Sequence, residues 1–128
     1  MVERVIVTEA AEALIRSLRE EHGALLFHQS GGCCDGSAPM CYPAGDFRVG
    51  EGDVFLGRIE GCPFYMGGAQ FEYWQHTQLI IDAVPGRGSG FSAEAPRGLR
   101  FLTRSRVFDD AEIAALEAAG PPARGPQI

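Results

Sequence analysis

The soft donors of this chain crowd into residues 28–41: His28, the adjacent pair in Gly31-Gly32-Cys33-Cys34-Asp35-Gly36, and Cys41. Thiolate and imidazole are the ligands of Zn(II), Cu(I) and iron–sulfur centres. Adjacent cysteines rarely pair with each other, because the ring that such a disulfide closes is strained. Set between glycines on a loop, they are better placed to present thiolates. There is no Cys-x-x-Cys, so this is not a zinc ribbon. An extended loop sends Cys33 and Cys34 in different directions, so one of them is expected to face a given metal. The expected metal ligands are therefore drawn from Cys33, Cys34 and Cys41, with His28 or His76, around Zn, Fe or Cu. Asp35 is placed to be an oxygen ligand or to orient a histidine. The competing reading is plain packing of small thiols beside glycines.

Further along, Glu72, Trp74 and His76 have one parity. Read as a strand, 70–77 puts all three on one face, a poor core but a reasonable pocket, with His76 as base or ligand and Glu72 tuning it. Cys33 or Cys34 with His76 would then make a nucleophilic pair. Arg100, Arg104 and Arg106 share a strand face opposite Leu99, Phe101 and Thr103. Such forks suit anions, with Arg104 and the glycine-flanked Arg87 as candidates. Pairing with the chain's own acids is the plainer reading for the strand arginines, and capping of backbone carbonyls for Arg87. Cys62, between Gly61 and Pro63, reads as a partly buried structural thiol in a turn. His22, beside Gly23, reads as a favourable charge at a helix C-terminus. No serine nucleophile elbow, dinucleotide fingerprint or P-loop occurs.

These residues need elements to hold them. Val5-Ile6-Val7 predicts a strand. Thr8 is a good N-cap, and Ala11, Leu14, Ile15 and Leu18 form one stripe, predicting a helix over 9–22 that Gly23 ends. Residues 24–28 predict a buried strand, followed by a glycine-rich loop to about Asp46. Strands are expected at 54–59, 64–66, 70–74, 77–84, 91–94 and 99–107, with a turn at 85–90. Asp109 with Glu112 predicts a capping box for a last helix ending at Gly120. Strands this closely spaced leave no room for crossover helices. The expected fold is therefore α+β: a mainly antiparallel strand sandwich with one N-terminal and one C-terminal helix, in a single domain over 1–120 with a flexible tail over 121–128.

Composition narrows the function. All 11 basic residues are arginine, which excludes Schiff-base and P-loop lysines, and the lack of asparagine excludes N-glycosylation. The net charge of −6 disfavours nucleic acid and anionic membrane as partners. The N-terminal residues do not read as a signal peptide and no apolar run is long enough to span a bilayer, so a cytoplasmic location with reduced cysteines is expected. Exposed strand edges leave a homodimer open.

Two resemblances add to this. Val7-Thr8-Glu9-Ala10-Ala11, the following helix and strand, Ser30 to Gly36, and Gly88-Ser89-Gly90-Phe91-Ser92-Ala93-Glu94-Ala95-Pro96 resemble segments of the A-type iron–sulfur carriers, the HesB-like proteins. That likeness implies a HesB-like fold with Cys33 or Cys34 as first cluster ligand. The C-terminal Cys-Gly-Cys of those carriers is absent here, since Leu99 to Val107 holds no cysteine. Residues 28–36, Gln70 to Thr77, Gly86-Arg87-Gly88 and Arg100 to Arg106 are similar to an uncharacterised bacterial family over roughly residues 5–110. Its members are often encoded beside aldehyde dehydrogenases, which implies an accessory part in alcohol or aldehyde oxidation, with a dehydrogenase as partner.

The reading is thus a metal-binding accessory protein. Its alternatives are a small enzyme in which a reactive cysteine adds to an aldehyde, with His76 and Glu72 moving protons, and a dehydrogenase-binding module without chemistry.

Overall fold

The computed structural model describes residues 2–29, 38–86 and 92–126. Thr8 organises its first unit. Its backbone is extended, its hydroxyl accepts from the Ala11 amide at 3.2 Å, and helix α1 (Glu9–His22) starts behind it, to be closed by Gly23 at φ 80°. The expected stripe, Ala11, Leu14, Ile15 and Leu18, is buried. Just before Thr8, strand β1 (Val5–Val7) lies parallel to β6 (Thr77–Pro85), which pairs antiparallel with β7 (Leu99–Val107) to make a sheet ordered β1-β6-β7.

The second sheet holds β2 (Leu25–Gln29), β3 (Met40–Pro43), β4 (Val54–Ile59) and β5 (Cys62–Met66), ordered β3-β2-β5-β4. Here β2 pairs parallel with β5, and β3 and β4 run antiparallel to their neighbours. Antiparallel pairings thus outnumber parallel ones, and the class is α+β as expected. One hydrophobic core unites Leu14, Ile15 and Leu18 of α1 with Val5, Leu79, Ile81 and Phe101 of the first sheet and Phe27, Phe64 and Met66 of the second. No helix among the described residues is long and apolar enough to cross a membrane.

Five expectations change. Residues 70–74 belong to a helix, α2 (Gly68–Trp74), and Phe71 and Trp74 are its buried residues. That spacing of three is helical, whereas a strand would have buried Phe71 with Tyr73, which is 74 % exposed. The glycine-rich loop ends earlier than expected, because Met40–Pro43 pairs with β2. Cys62 opens a strand rather than sitting in a turn. The turn is Glu60-Gly61, whose φ values of 47° and 78° suit the tight hairpin joining β4 to β5. Residues 92–94 form a bend and turn, not a strand. Part of the segment expected as a tail is held: Ala123 accepts from the Phe55 amide at 2.9 Å and Gly125 donates to the Asp53 carbonyl at 2.8 Å, so residues 123–125 lie along the β4 edge. The last helix, α3 (Asp110–Ala119), carries the full Asp109–Glu112 capping box.

Thr8 also reaches across the fold. Its hydroxyl donates to Asp82 Oδ1 at 2.7 Å, and Asp82 further accepts from the Ala83 amide at 2.8 Å and from Arg104 Nε at 3.1 Å. The Thr8 bond, foremost, and those of Ala83 and Arg104 hold the Asp82 carboxyl below its usual range. A depressed carboxyl stabilises the native state above the unfolded value and loses that contribution as pH falls through the folded one. Thr8→Val keeps the shape but removes both the cap and the Asp82 bond. It is expected to cost about 1–2 kcal/mol at neutral pH, and to show a shallower loss of stability at acid pH than the native chain. Urea unfolding across the acid range measures both effects.

Candidate functional site

Strand β2 places the first donor. Successive side chains in a strand point to opposite faces, so Phe27 turns into the core and His28 to the outer face. His28 is 6 % exposed. Its Nε2 lies 2.9 Å from Asp53 Oδ1, and the other Asp53 oxygen accepts from the Gly50 amide at 2.9 Å. The Phe47 ring packs 4.9 Å from the imidazole and stacks on Tyr42 at 4.7 Å. A carboxylate accepts only, so in this pair Nε2 carries the proton and Nδ1 keeps its lone pair in the neutral ring. Among the described residues Nδ1 has no hydrogen-bond partner. A histidine whose one nitrogen is held by a carboxylate is oriented for metal ligation or proton transfer through the other.

Cys41 is not part of this arrangement. It pairs with Phe27, sits on the core face and is wholly buried. His28 and Cys41 thus lie on opposite faces of one sheet and cannot meet at a metal, which corrects the expected ligand set. Burial, with the nearby Glu94 and Cys62 adding, pushes the Cys41 thiol far above its usual range. Cys62 is buried too, and burial again raises its thiol. Both are packing thiols in the neutral form.

Beside Cys41 is a polar cluster that sequence reasoning missed. The Cys41 amide donates to Ser92 Oγ at 2.9 Å, and the Ala93 amide donates to the Cys41 carbonyl at 2.8 Å. Ser92 in turn donates to Glu94 Oε1, and the Phe101 amide reaches Glu94 Oε2 at 3.4 Å. Glu94 is 1 % exposed. Burial raises its carboxyl above the usual range despite those bonds. Nearby in the chain, Thr103 donates to the buried Gln29 Oε1 at 2.8 Å. The one hint in the sequence was an acid set among small residues, Ala93-Glu94-Ala95, at the end of the strand expected over 91–94.

The remaining candidates separate. His76 is exposed and helps line a cavity of about 310 Å³ with Arg4, Phe71, Ile113 and Leu116. Glu72 is exposed on α2 and Trp74 is in the core, so the Glu72–Trp74–His76 face does not form. Arg104 is engaged by Asp82 at 3.1 Å and Arg106 by Glu112, so these two strand arginines serve the chain's own acids. Cys33, Cys34 and Arg87 lie outside the described residues. Among the described residues no three His, Cys, Asp or Glu side chains come together as a metal group.

A family model described as Domain of unknown function (DUF779) matches residues 14–107. No curated protein matches the chain.

Two outcomes follow from the buried groups. Iodoacetamide at neutral pH is expected to leave Cys41 and Cys62 unmodified in the folded protein and to label both in urea; mass spectrometry of the peptides reads this, and rapid native labelling of either would contradict their burial. A carboxyl with a raised native pKa holds its proton longer in the folded state than in the unfolded one. Stability therefore falls as pH rises from the ordinary carboxyl range through the raised value. Glu94→Gln is expected to remove that part of the slope, measured by urea midpoints against pH.

Proposed function

Since the chain belongs to the DUF779 family, whose description assigns no activity, we propose from its own residues that it is a cytoplasmic thiolate- and imidazole-dependent metal-binding accessory protein of alcohol or aldehyde oxidation, working beside an aldehyde dehydrogenase. The observation that supports this is the His28–Asp53 pair. It supplies one imidazole, oriented by a carboxylate, five residues before Cys33 in the sequence. The proposed ligands are His28 Nδ1 with Cys33 or Cys34. Cys41 and His76 leave the set, the first for the core and the second for a separate cavity. Zn, Fe or Cu would suit this donor chemistry, and the bound ion would supply Lewis acidity or a redox centre. Asp53 fixes which nitrogen of His28 is free, and Phe47 shields the ring from water.

A second reading rests on the same pair. If Cys33 or Cys34 is a nucleophile that adds to a small aldehyde, the proton belongs to His28 with Asp53, because His76 and Glu72 share no face.

Elemental analysis of protein purified without oxygen tests the first reading. About one metal per chain is expected, lost in the Cys33→Ser/Cys34→Ser double variant. Asp53→Asn is expected to weaken metal affinity about 10–100-fold while the fold persists. Metal-free protein whose thermal stability ignores added Zn, Fe and Cu would end this reading. In that case, fast alkylation of Cys33 or Cys34 at neutral pH would favour the nucleophile.

A further inference from the structure

Arg19, Arg48 and Arg58 stand around one cavity of about 630 Å³ on the outer side of the second sheet. Leu26 and Tyr65 line it from β2 and β5, and Phe47 lines it from the segment that follows β3. Its volume is that of a small-molecule site. In a chain of net charge −6, no Asp or Glu is among the described residues that line it.

Two nearby acids are engaged elsewhere, and Asp46, exposed beside Phe47, is not among the lining residues. Glu60 gives its carboxylate to Arg16 at 3.0 Å, and Asp53 gives its own to His28. The three guanidinium groups have no carboxylate partner among the described residues. Arg19 donates to the Glu60 backbone carbonyl at 2.7 Å, and Arg58 lies 5.3 Å over the Phe55 ring. Arg48 has no such partner at all among the described residues. Elsewhere in the fold Arg16, Arg97, Arg104 and Arg106 each hold a carboxylate.

We propose that this cavity binds a small organic carboxylate with an apolar body. The guanidinium fork matches a carboxylate with two parallel hydrogen bonds, and it stays charged at any physiological pH. The Leu26, Phe47 and Tyr65 surface takes the hydrocarbon, which an inorganic anion would leave unused. A polyanion is disfavoured by the overall charge. Phe47 separates this cavity from the His28 ring, so the two sites share a wall while neither supplies a group to the other. The inference therefore stands apart from the metal reading.

Calorimetry on the full chain tests it with benzoate and octanoate as probes, and with benzyl alcohol, 1-octanol and inorganic phosphate as controls. Benzoate or octanoate is expected to bind at least about tenfold more tightly than its alcohol and than phosphate. Arg48→Gln, which breaks no bond among the described residues, is expected to lower that affinity about tenfold, and Arg58→Gln to do the same. Binding is expected to be unchanged in the Cys33→Ser/Cys34→Ser variant. Equal binding of acid and alcohol, no binding of either acid, or full affinity in both arginine variants would overturn the proposal. Loss of binding in the double cysteine variant would also overturn it, by moving the ligand out of this cavity.

Discussion

In β2, Leu25–Gln29, every residue is buried, although the strand has two faces. That is possible because something covers each face. The inner face meets the first sheet and α1, and takes Leu25, Phe27 and Gln29. The outer face carries Leu26 and His28, with Phe47 packed on the His28 ring and Tyr65 beside His28 in the neighbouring strand. The period of two in an extended backbone then decides the chemistry. Phe27 and its cross-strand partner Cys41 must face hydrocarbon, and His28 must face away from both. No adjustment of side-chain rotamers can reverse this, because a shift by one residue would turn all of β2 over and bury the imidazole in the core.

From that constraint come two polar arrangements with opposite characters. On the inner side, Ser92, Glu94 and the Cys41 backbone form a closed set of hydrogen bonds surrounded by apolar side chains. A buried acid there is tolerated because it accepts from Ser92 and Phe101 and because burial favours its protonated form. On the outer side, the His28–Asp53 pair leaves one nitrogen open among the described residues. The first arrangement fixes structure: it ties β3 to the 92–94 turn and to β7. The second has the capacity for chemistry that the first lacks.

Much of the frame was legible in the sequence. The α1 stripe, its Thr8 cap, the Asp109–Glu112 box and the long strands Thr77–Pro85 and Leu99–Val107 are local signals, and local signals predicted them. What failed depended on neighbours distant in the chain. Met40–Pro43 has too few alternating positions to announce itself, and becomes a strand only because β2 offers an edge. Gln70 to Trp74 contains aromatic residues that suit a strand, yet Phe71 and Trp74 both reach the core only on a helical spacing. The candidate donors were singled out by type, and type does not tell a face. Cys41 and His28 are thirteen positions apart, and their separation by the sheet appears only once β2 and β3 pair. Asp53, the partner that gives His28 its meaning, lay in a Gly-Glu-Gly-Asp turn where an acid looks like ordinary turn chemistry.

The exclusive use of arginine gives the charge distribution its last consequence. A lysine in a half-buried setting can lose its proton and so escape the cost of an unpaired charge, whereas a guanidinium cannot. Each arginine must therefore find a carboxylate, a carbonyl, an aromatic face or water. Arg104 and Arg106 take acids from neighbouring elements, and such exposed pairs contribute little to stability. Their effect is to neutralise that face of β7. The arginines around the Leu26–Tyr65 cavity keep their charge, since Arg19 meets only a carbonyl and Arg58 only a ring. Three guanidinium charges without a carboxylate partner among the described residues thus surround one concave, partly apolar place, where the surrounding protein screens them less than open water would.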